Sequence, residues 1–410
     1  MTKLLILGGG IEQVYAYELA HEMGIETIGM DLDPNAPGLK LADYQIIRST
    51  KAPLDAMDYA YIFNKTTKID GVMTIAHDVA FSVAHIAHAL GLPGISVESA
   101  KLASDKVVMK WKFLECGVPT PMFWAVIAPG KAFLLEWGYP VIVKPVDNCG
   151  ARGVTHVMSD ADIEWACQVA RDNSFENYII VEEFVEGLQL STESMMYKGK
   201  CYTVSISERN YDLERFAPYM IEDGGVIPAR LTFEETESVK KVVAQAAKSL
   251  GIENGPVKGD IVMSKDGPMV IEMAARLSGG YLCTSQIPLV YNVNLVEQTI
   301  KLALGRELDT NDLIPHESCR MGIRYFFPKP GRVVSIKGFD ELGDWGRLAI
   351  DEDDFDWVVK KMLNLQVGDI VEPCIDHTKR VGFVHCVGRT QEEAEQRAIN
   401  AVNSVKIKTI

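Results

Sequence analysis

The sequence predicts an α/β protein whose first domain is built on a parallel sheet, followed by at least one further domain. Strand-like apolar runs alternate with helix-like stretches through the first hundred residues, which indicates parallel strands covered by helices on both faces. The chain has 410 residues, and a typical domain of roughly 150 residues implies two or three domains. Apolar residues make up 47% of the chain, so a large core forms without disulfide or metal cross-links.

Net charge and cysteine spacing restrict the partners of the protein. The chain carries 41 Lys and Arg against 56 Asp and Glu, and its net charge of −15 disfavours nucleic-acid binding. No two of the eight cysteines lie closer than twelve residues, which is typical of scattered thiols in a reducing cytosol. The sequence offers no signal peptide and no apolar run that spans a bilayer. We therefore expect a cytoplasmic protein without nucleic-acid or membrane partners.

The N-terminal elements follow from apolar runs and the glycines between them. Residues 4–7 form a strand that ends in Gly8-Gly9-Gly10, and residues 12–23 form the next helix. The other elements of this domain are predicted as strands at 26–30, 46–47 and 71–75, a helix at 79–90, and a boundary turn at 91–94.

The glycines after the first strand match part of a dinucleotide-binding fingerprint. Gly8 and Gly10 fit the first two positions of G-x-G-x-x-G, and Asp31 or Asp33 fits the acid after the next strand. Gln13 replaces the third glycine, which normally allows close packing of the helix on the strand. We therefore interpret the glycines as a tight turn between strand and helix rather than as an NAD site.

The middle of the chain mixes helices with strands. It is predicted to begin with a single helix over residues 99–116, after which Pro119 and Pro121 interrupt regular structure. The acidic run at 351–356 is expected to be a solvated loop. Strands are predicted at 140–145, 178–184, 189–196, 201–208, 257–263 and 268–272, and helices at 160–171, 236–250, 295–303 and 390–402.

Two lysines and a glycine-containing loop are candidates for phosphate binding. Lys144 ends an apolar strand, and Asp147-Asn148-Cys149-Gly150-Ala151-Arg152-Gly153 follows it. Small residues in such a loop let backbone N–H groups approach phosphate oxygens. Lys106 begins a helix after Ser104-Asp105. These features fit a nucleoside triphosphate site and a surface hairpin with a chance lysine equally well. The loop is not a Walker A loop, because G-x-x-x-x-G-K-[ST] is absent from the sequence.

Carboxylates follow at two places further along the chain. The segment Val181-Glu182-Glu183-Phe184-Val185-Glu186-Gly187 offers strand-end backbone to an adenine, although by itself it reads as a strand with solvated acids. Asp260 and Glu272 lie on successive strands that a hairpin brings side by side. Facing carboxylates repel unless a cation lies between them, and hard oxygen ligands suit Mg²⁺. Arg276 before Ser278-Gly279-Gly280 suits a carboxylate or phosphoryl group, with a Glu–Arg ion pair as the competing explanation.

Taken in chain order, these segments resemble the ATP-grasp superfamily, and most closely its branch containing carbamoyl phosphate synthetase, biotin carboxylase and L-amino acid ligases. The resemblance is carried by LLILGGG…DLDPNAPGLKLAD, SDK at 104–106, VIVKPVDNCGARGV at 141–154, VEEFVEG at 181–187 and IEMAARLSGGY at 271–281. It implies an N-terminal pre-ATP-grasp α/β domain at 1–98, an α+β ATP-grasp domain at 99–314 with a lid at about 118–188, and a small C-terminal domain at 315–410 that closes the substrate site.

The resemblance also implies a role for each candidate residue. Arg276, Lys144 and Arg324 would be the catalytic residues, with Arg324 equally explained as a surface arginine. The phosphates would be bound by Lys106, Lys144, Asn148, Gly150, Ala151, Arg152 and Gly153, the adenosine by Glu182, Glu183, Phe184, Val185 and Gln189, and Mg²⁺ or Mn²⁺ by Asp260 and Glu272.

Two positions depart from the family pattern. Gln189 stands where a ribose-binding glutamate is common, and an amide still hydrogen-bonds a hydroxyl. Ala274 stands where many members have a metal-binding asparagine, which leaves one or two metal ions as alternatives.

The function implied by the resemblance is that of an ATP-dependent carboxylate–amine ligase. Such an enzyme forms an acyl phosphate and then an amide, and it releases ADP and phosphate. The alternatives are a bicarbonate-using carboxylase or carbamoyl-phosphate-type enzyme, and a non-catalytic ATP-binding regulatory protein. The partners expected are a small carboxylate and an amine, and a homodimer is compatible with the family. Residues 210–230, with Tyr211, Arg215 and Tyr219, are expected to contribute to the substrate pocket.

Overall fold

A computed structural model describes residues 1–127, 138–176, 178–342 and 357–410. Within them it has a parallel-sheet N-terminal domain, a four-stranded sheet, a large antiparallel sheet and a small C-terminal domain. The mixed α/β architecture expected from the sequence is confirmed. The acidic run at 351–356 and part of the expected lid, residues 128–137, lie outside the described residues.

The N-terminal domain contains a four-stranded sheet in the order β3-β2-β1-β4, with all neighbours parallel. Its apolar strands are buried because helices cover both faces, as the continuous apolar runs predict. The strands are β1 (Lys3–Leu7), β2 (Glu26–Asp31), β3 (Tyr44–Ile47) and β4 (Gly71–Met73), and the helices are α1 (Val14–Glu22), α2 (Pro53–Asn64) and α3 (Ala80–Leu90).

The glycine turn after β1 is filled by the chain itself. The backbone N–H of Gly9 donates to Asp31 Oδ2 at 2.7 Å. A Cβ added to Gly9 would lie 2.6 Å from the side chain of Leu39, so Leu39 covers the turn. The buried Gln13 amide donates to the carbonyl of Ile75 at 2.8 Å. These contacts agree with the interpretation of a tight turn, because a pyrophosphate would have to displace them.

The prediction of one helix over 99–116 is wrong, because two helices occupy that segment. They are α4 (Val97–Leu102) and α5 (Lys106–Glu115). Asp105 separates them, since its carboxylate accepts hydrogen bonds from the backbone N–H groups of Val107 at 2.9 Å and Val108 at 3.1 Å. Aspartate is a strong N-cap residue. The cap places Lys106 in the first turn of α5.

The four-stranded sheet has the order β5-β8-β6-β7 and is antiparallel. The loop between β6 and β7 carries the candidate phosphate-binding residues. Helix α6 packs its apolar face on this sheet. The elements are β5 (Phe123–Val126), β6 (Val141–Pro145), β7 (Thr155–Val157), α6 (Ile163–Asp172) and β8 (Ile179–Glu183).

The large sheet has eight strands in the order β13-β12-β9-β10-β11-β14-β18-β16. Its strands are β9 (Leu188–Tyr197), β10 (Lys200–Tyr211), β11 (Glu222–Ile227), β12 (Gly255–Ser264), β13 (Gly267–Ala274), β14 (Arg320–Tyr325), β16 (Val358–Leu363) and β18 (Gly382–Gly388). The helices between and beside them are α7 (Leu213–Phe216), α8 (Phe233–Ser249), α9 (Ile287–Tyr291), α10 (Leu295–Ala303) and α11 (Gln391–Ser404).

The C-terminal strands continue the large sheet across the domain boundary expected near residue 315. Strand β14 pairs with β11, and β18 pairs with β14. A separate three-stranded sheet, β17-β15-β19, is formed by β15 (Gly331–Lys337), β17 (Ile370–Val371) and β19 (Lys406–Thr409). All eight cysteines are free thiols. Among the described residues, no helix has both the length and the apolar character required to cross a membrane.

Candidate functional site

A cleft lies between the four-stranded sheet and the large sheet. The cleft is partly open to solvent. Both sheets, the start of α5 and one C-terminal segment contribute to it. Most of the residues predicted from the sequence line this cleft: Lys106, Lys144, Asn148, Gly150, Ala151, Glu182, Glu183, Phe184, Val185, Gln189, Asp260, Glu272 and Arg276.

Two residues of the candidate phosphate-binding loop at 147–153, called the phosphate loop below, are not among the lining residues: Arg152 and Gly153. Arg152 Nε donates to the carbonyl of Cys149 at 2.9 Å, so its guanidinium closes the loop on itself. Gly153 has φ +72°, and a Cβ there would lie 2.7 Å from Cβ of Asn173. Both residues therefore shape the loop in this structure rather than facing the cleft.

A buried charge cluster forms one side of the cleft. Lys144 Nζ lies 2.8 Å from Glu182 Oε2, and Lys110 Nζ lies 3.3 Å from Glu182 Oε1. Lys110 also donates to Thr120 Oγ1 at 2.8 Å. Burial lowers the pKa of Lys110 to about 8. Burial alone would raise the pKa of Glu182, but the two ammonium groups outweigh it and the pKa is lowered. Glu182 is therefore held as a carboxylate.

Lys106 joins the phosphate loop to the candidate metal ligands. Its Nζ donates to the carbonyl of Asn148 at 2.8 Å and lies 3.3 Å from Glu272 Oε1. Burial lowers the pKa of Lys106, but the carboxylates of Glu272 and Asp78 outweigh burial and the pKa is raised. A permanently charged ammonium at this place suits an anionic ligand.

The phosphate loop is anchored at its base and meets the C-terminal segment at its tip. Asn148 Nδ2 donates to the carbonyl of Asn173 at 2.7 Å. Gly150 and Ala151 have φ values of +65° and +59°, which turn the backbone sharply. The backbone N–H of His377 donates to the carbonyl of Gly150 at 3.0 Å. The C-terminal region therefore contacts the loop that faces the cleft.

Asp260 and Glu272 are directly opposite each other on the β12–β13 hairpin, as the sequence predicts. Arg209 Nη1 lies 2.9 Å from Asp260 Oδ1, and the Lys258 ammonium contacts Oδ2. Burial alone raises the pKa of Asp260, but Lys258 and Arg209 lower it to about 2. Each carboxylate of the predicted pair therefore already has a cationic partner.

The donor set at this hairpin offers one less engaged carboxylate to a divalent ion. Glu272 lines the cleft and contacts only one ammonium, that of Lys106, through Oε1 among the described residues. Asp260 has both oxygens engaged. Ala274 has no side-chain oxygen, and no group of three or more His, Cys, Asp or Glu is arranged to hold a metal within the described ranges. Of the two candidate ligands, Glu272 is therefore the one less engaged by cations among the described residues.

Arg276 begins a segment that acidic side chains hold in place. Its Nε lies 2.6 Å from Asp78 Oδ1. The backbone N–H of Ser278 donates to both oxygens of Glu193 at 3.1 Å, and that of Gly280 donates to Glu12 at 3.0 Å. Burial raises the pKa of Glu193 to about 7. The N-terminal domain and β9 together fix the guanidinium at the cleft.

Arg324 lies apart from the residues that line the cleft. Its Nη2 donates to Glu395 Oε1 at 2.6 Å, and its Nη1 donates to the carbonyl of Ile323 at 3.0 Å. Glu395 also pairs with Arg230 at 2.9 Å. Arg324 therefore attaches helix α11 to the large sheet in this structure.

Several residues of the cleft escaped the sequence analysis. Lys258 precedes Asp260 by two residues and Arg209 precedes Tyr211 by two, so strand alternation places each pair on one face. His377 had no such signal, because it lies in a single 3₁₀-helical turn, His377–Lys379, that has no hydrophobic period. Its Nε2 accepts a hydrogen bond from the backbone N–H of Glu222 at 3.1 Å, and burial lowers its pKa to about 3.

Of the substrate residues expected at 210–230, Tyr211 lines the cleft, as does Met220. Arg215 does not, since its guanidinium donates to the carbonyl of Phe327 at 3.3 Å. Tyr219 pairs with Thr155 in an isolated β-bridge. Residues 210–230 thus contribute few side chains to the cleft.

Comparison with known proteins identifies two domain families in the chain. Residues 103–280 match the ATP-grasp domain, and residues 324–409 match the L-amino acid ligase C-terminal domain 2. The alanine–anticapsin ligase of Bacillus subtilis is 25% identical over 310 residues. That match covers 69% of this chain and 63% of the relative, so it spans less than two thirds of the relative's length.

Two solved structures share the fold. The L-amino acid ligase from Bacillus licheniformis has a TM-score of 0.84 at 22% identity, covering 100% of this chain and 99% of that one. The biotin carboxylase domain dimer of Hydrogenobacter thermophilus 2-oxoglutarate carboxylase, crystallised with MgADP, ADP and bicarbonate, has a TM-score of 0.74 at 17% identity, covering 99% and 90%. The two domain matches show that the chain contains an ATP-grasp domain and an L-amino acid ligase C-terminal domain, and the two solved structures share its fold.

Proposed function

We propose that the protein is an ATP-dependent ligase that joins a carboxylic acid to an amine as an amide, through an acyl phosphate. The observation that supports this proposal is the composition of the cleft. Two lysines, a loop with two left-handed residues, strand-end backbone and a hairpin carboxylate all line one space between two sheets. This is the set of groups that binding a nucleoside triphosphate requires.

The adenosine is proposed to lie between apolar side chains of the two sheets. Ile142 and Val154 belong to the four-stranded side, and Val262 and Ile271 to the large sheet, and all four line the cleft. A planar base fits between such surfaces, while strand-end groups at 182–185 fix its orientation through hydrogen bonds. Gln189 is assigned to the ribose hydroxyls.

The triphosphate is proposed to lie toward Lys106, Lys144 and the loop at 148–151. Ammonium groups in a partly buried site interact strongly with phosphate oxygens, because the surrounding dielectric constant is low. Glu272 would hold Mg²⁺, or Mn²⁺ in its place, and the ion would supply positive charge against the phosphates. Arg276, fixed by Asp78, is assigned to orienting the substrate carboxylate.

The proposed reaction has two steps. A carboxylate oxygen of the acid forms a bond to the γ-phosphorus, the bond from that phosphorus to the β-phosphate oxygen breaks, and ADP leaves. The nitrogen of the amine then forms a bond to the acyl carbon, the carbon–oxygen bond to phosphate breaks, and the amine gives up a proton. Positioning and charge neutralisation account for catalysis in this scheme. The match to an L-amino acid ligase domain supports an amino acid as one substrate.

Trapping with hydroxylamine tests the proposal. The purified chain is incubated with ATP, Mg²⁺, hydroxylamine and a panel of amino acids and other small acids, and hydroxamate and ADP are measured. We expect both products with at least one organic acid, without added bicarbonate. The Glu272→Gln variant should lose both, whereas Glu253→Gln, a change at an exposed glutamate, should retain them.

Two other outcomes would contradict the ligase. ADP release that requires bicarbonate, with no hydroxamate from any organic acid, would assign the chain to bicarbonate chemistry. Binding of ATP without ADP release under any condition would assign it a regulatory role.

A further inference from the structure

Strand β12 presents three alternate residues to the cleft, and the first of them is a lysine. Lys258, Asp260 and Val262 all line the cleft, as alternation along a strand requires. Across the hairpin, Asp260 faces Glu272 and Lys258 faces Ala274. The Lys258 ammonium therefore belongs to the residue pair next to the Asp260–Glu272 pair on the same face of the hairpin, and its partner in that pair is the small side chain of Ala274.

The charges of this hairpin are already partly balanced by the chain. The Lys258 ammonium contacts one oxygen of Asp260, and Arg209 Nη1 lies 2.9 Å from the other. Lys258 is 16% exposed and Asp260 is 19% exposed, so the pair lies in the cleft rather than on the outer surface. A divalent ion that used Asp260 would have to displace a buried cation from it. Glu272 has no comparable pair of cations.

The side chain opposite Lys258, that of Ala274, has no atom that can bind a metal ion. Ala274 is buried, with 7% of its surface exposed, and its methyl group offers no donor atom. At this place in the hairpin, a side chain without a donor atom, that of Ala274, therefore lies opposite the ammonium of Lys258. A compact ammonium with three donors matches phosphate oxygens as a point charge, and it needs no ligands from other side chains.

We propose that Lys258 supplies, within the nucleotide cleft, the positive charge that a second divalent ion would otherwise bring, so that ATP binds with a single metal ion. The inference rests on the proposed function of the cleft as an ATP site. In the nucleotide complex the ammonium lies between Asp260 and a phosphate oxygen, and the one divalent ion is held through Glu272. Lys258 is thereby a phosphate-binding residue.

Counting bound Mn²⁺ tests this inference without any turnover. The full chain is mixed with an equimolar non-hydrolysable ATP analogue, and Mn²⁺ is titrated while electron paramagnetic resonance measures the free ion. We expect one tightly bound Mn²⁺ per chain, with the spectrum of an isolated ion. The double variant Lys258→Met, Ala274→Asn should bind a second Mn²⁺ and give the exchange-coupled spectrum of a metal pair.

Nucleotide affinity gives a second, independent measurement. At saturating Mn²⁺, Lys258→Met should weaken binding of the analogue about tenfold, because one charge-assisted hydrogen bond to phosphate is lost. Lys265→Met, in the exposed turn of the same hairpin, is the matched control and should bind like the wild type. The wild-type stoichiometry does not depend on the folding of any variant.

Two results would overturn the inference while leaving the proposed function intact. They are two Mn²⁺ ions per wild-type chain with an exchange-coupled spectrum, and an analogue affinity of a folded Lys258→Met equal to that of the wild type. Failure of the wild type to bind the analogue at all would instead overturn the proposed function itself.

Discussion

The ammonium of Lys144 lies 2.8 Å from the carboxylate of Glu182, and the two side chains are 6% and 2% exposed. Lys110, on helix α5, reaches the other oxygen of the same carboxylate. Strand β6, strand β8 and α5 therefore meet at one buried charge cluster. Lys144 contributes to the stability of the cleft in addition to facing it.

Replacing Lys144 should affect stability and nucleotide binding separately. Lys144→Met should lower the free energy of unfolding by about 2 kcal/mol, because the buried Glu182 then keeps only Lys110. The double variant Lys144→Met, Glu182→Gln should recover part of this loss without recovering affinity for an ATP analogue. Denaturant unfolding and calorimetric titration measure the two effects. Lys112→Met, at a half-buried position of α5 where the lysine pairs with the exposed Glu115, is the control, and a Lys144→Met protein as stable as the wild type would contradict the structural role.

The phosphate loop and the C-terminal segment should respond to nucleotide together. Hydrogen exchange should slow on binding of a Mg²⁺–ATP analogue at residues 148–153 and also at His377–Lys379, because the His377 N–H donates to the carbonyl of Gly150. Mass spectrometry of peptides from both segments measures this. Peptides from α11 serve as the reference. Slower exchange in the loop alone would show that the two segments are not coupled.

Arg276 and Arg324 should differ in their effect on turnover. With an acid–amine pair that supports ADP release, Arg276→Met should reduce the rate about a hundredfold or more, as expected for a group that faces developing charge. Arg324→Met should retain the rate within about threefold and instead destabilise the protein by about 1 kcal/mol, through loss of its bond to Glu395. Rates and thermal unfolding midpoints distinguish the two. If both variants lost turnover equally, Arg324 would be assigned a catalytic role as well.

Glu193 should make stability depend on pH. Its pKa is raised from 4.5 to about 7 by burial, so the folded state binds a proton more strongly than the unfolded state. The contribution of Glu193 to stability is therefore largest below pH 4.5, falls as pH rises toward 7 and is constant above it, a loss of about 3 kcal/mol from this group.

The Glu193→Gln variant isolates this contribution. It should gain stability relative to the wild type between about pH 5 and 7, by about 1.4 kcal/mol for each pH unit, and the difference should level off above pH 7, because the amide does not titrate. Thermal unfolding at several pH values measures the difference, with Glu253→Gln as the exposed control. A difference between Glu193→Gln and wild type that is independent of pH would contradict the shift.

The sequence was most informative where a residue's environment is set by its own strand or helix. Apolar runs predicted the parallel sheet, and the β12–β13 hairpin brought Asp260 and Glu272 opposite each other as expected. The error at 99–116 concerned local chemistry, because Asp105 caps a new helix inside a stretch of helix-forming residues. The sequence analysis read this helix start at Ser104-Asp105-Lys106, but the helix predicted over 99–116 ran through it.

The remaining features depend on contacts between distant segments. Arg209 lies 51 residues from Asp260 in the chain, and nothing near Asp260 indicates that it is paired with an arginine. The contact of His377 with Gly150 joins two short segments, and neither has an apolar repeat from which their contact could be predicted. The sequence left Arg324 as either a site residue or a surface arginine, and its orientation is set by Glu395 on a helix that follows much later. Such positions require the tertiary structure.

The pairing of β11 with β14 has a consequence for building chimeric ligases. Gly224 faces Arg324 across the two strands, and a Cβ at Gly224 would lie 2.3 Å from the backbone carbonyl oxygen of Ile323. A C-terminal segment grafted from a relative therefore has to pair correctly with the host strand, since it is not a module joined by a linker. Because this contact is with the backbone, a host residue larger than glycine at 224 would push the two strands apart, whatever side chain the graft carries.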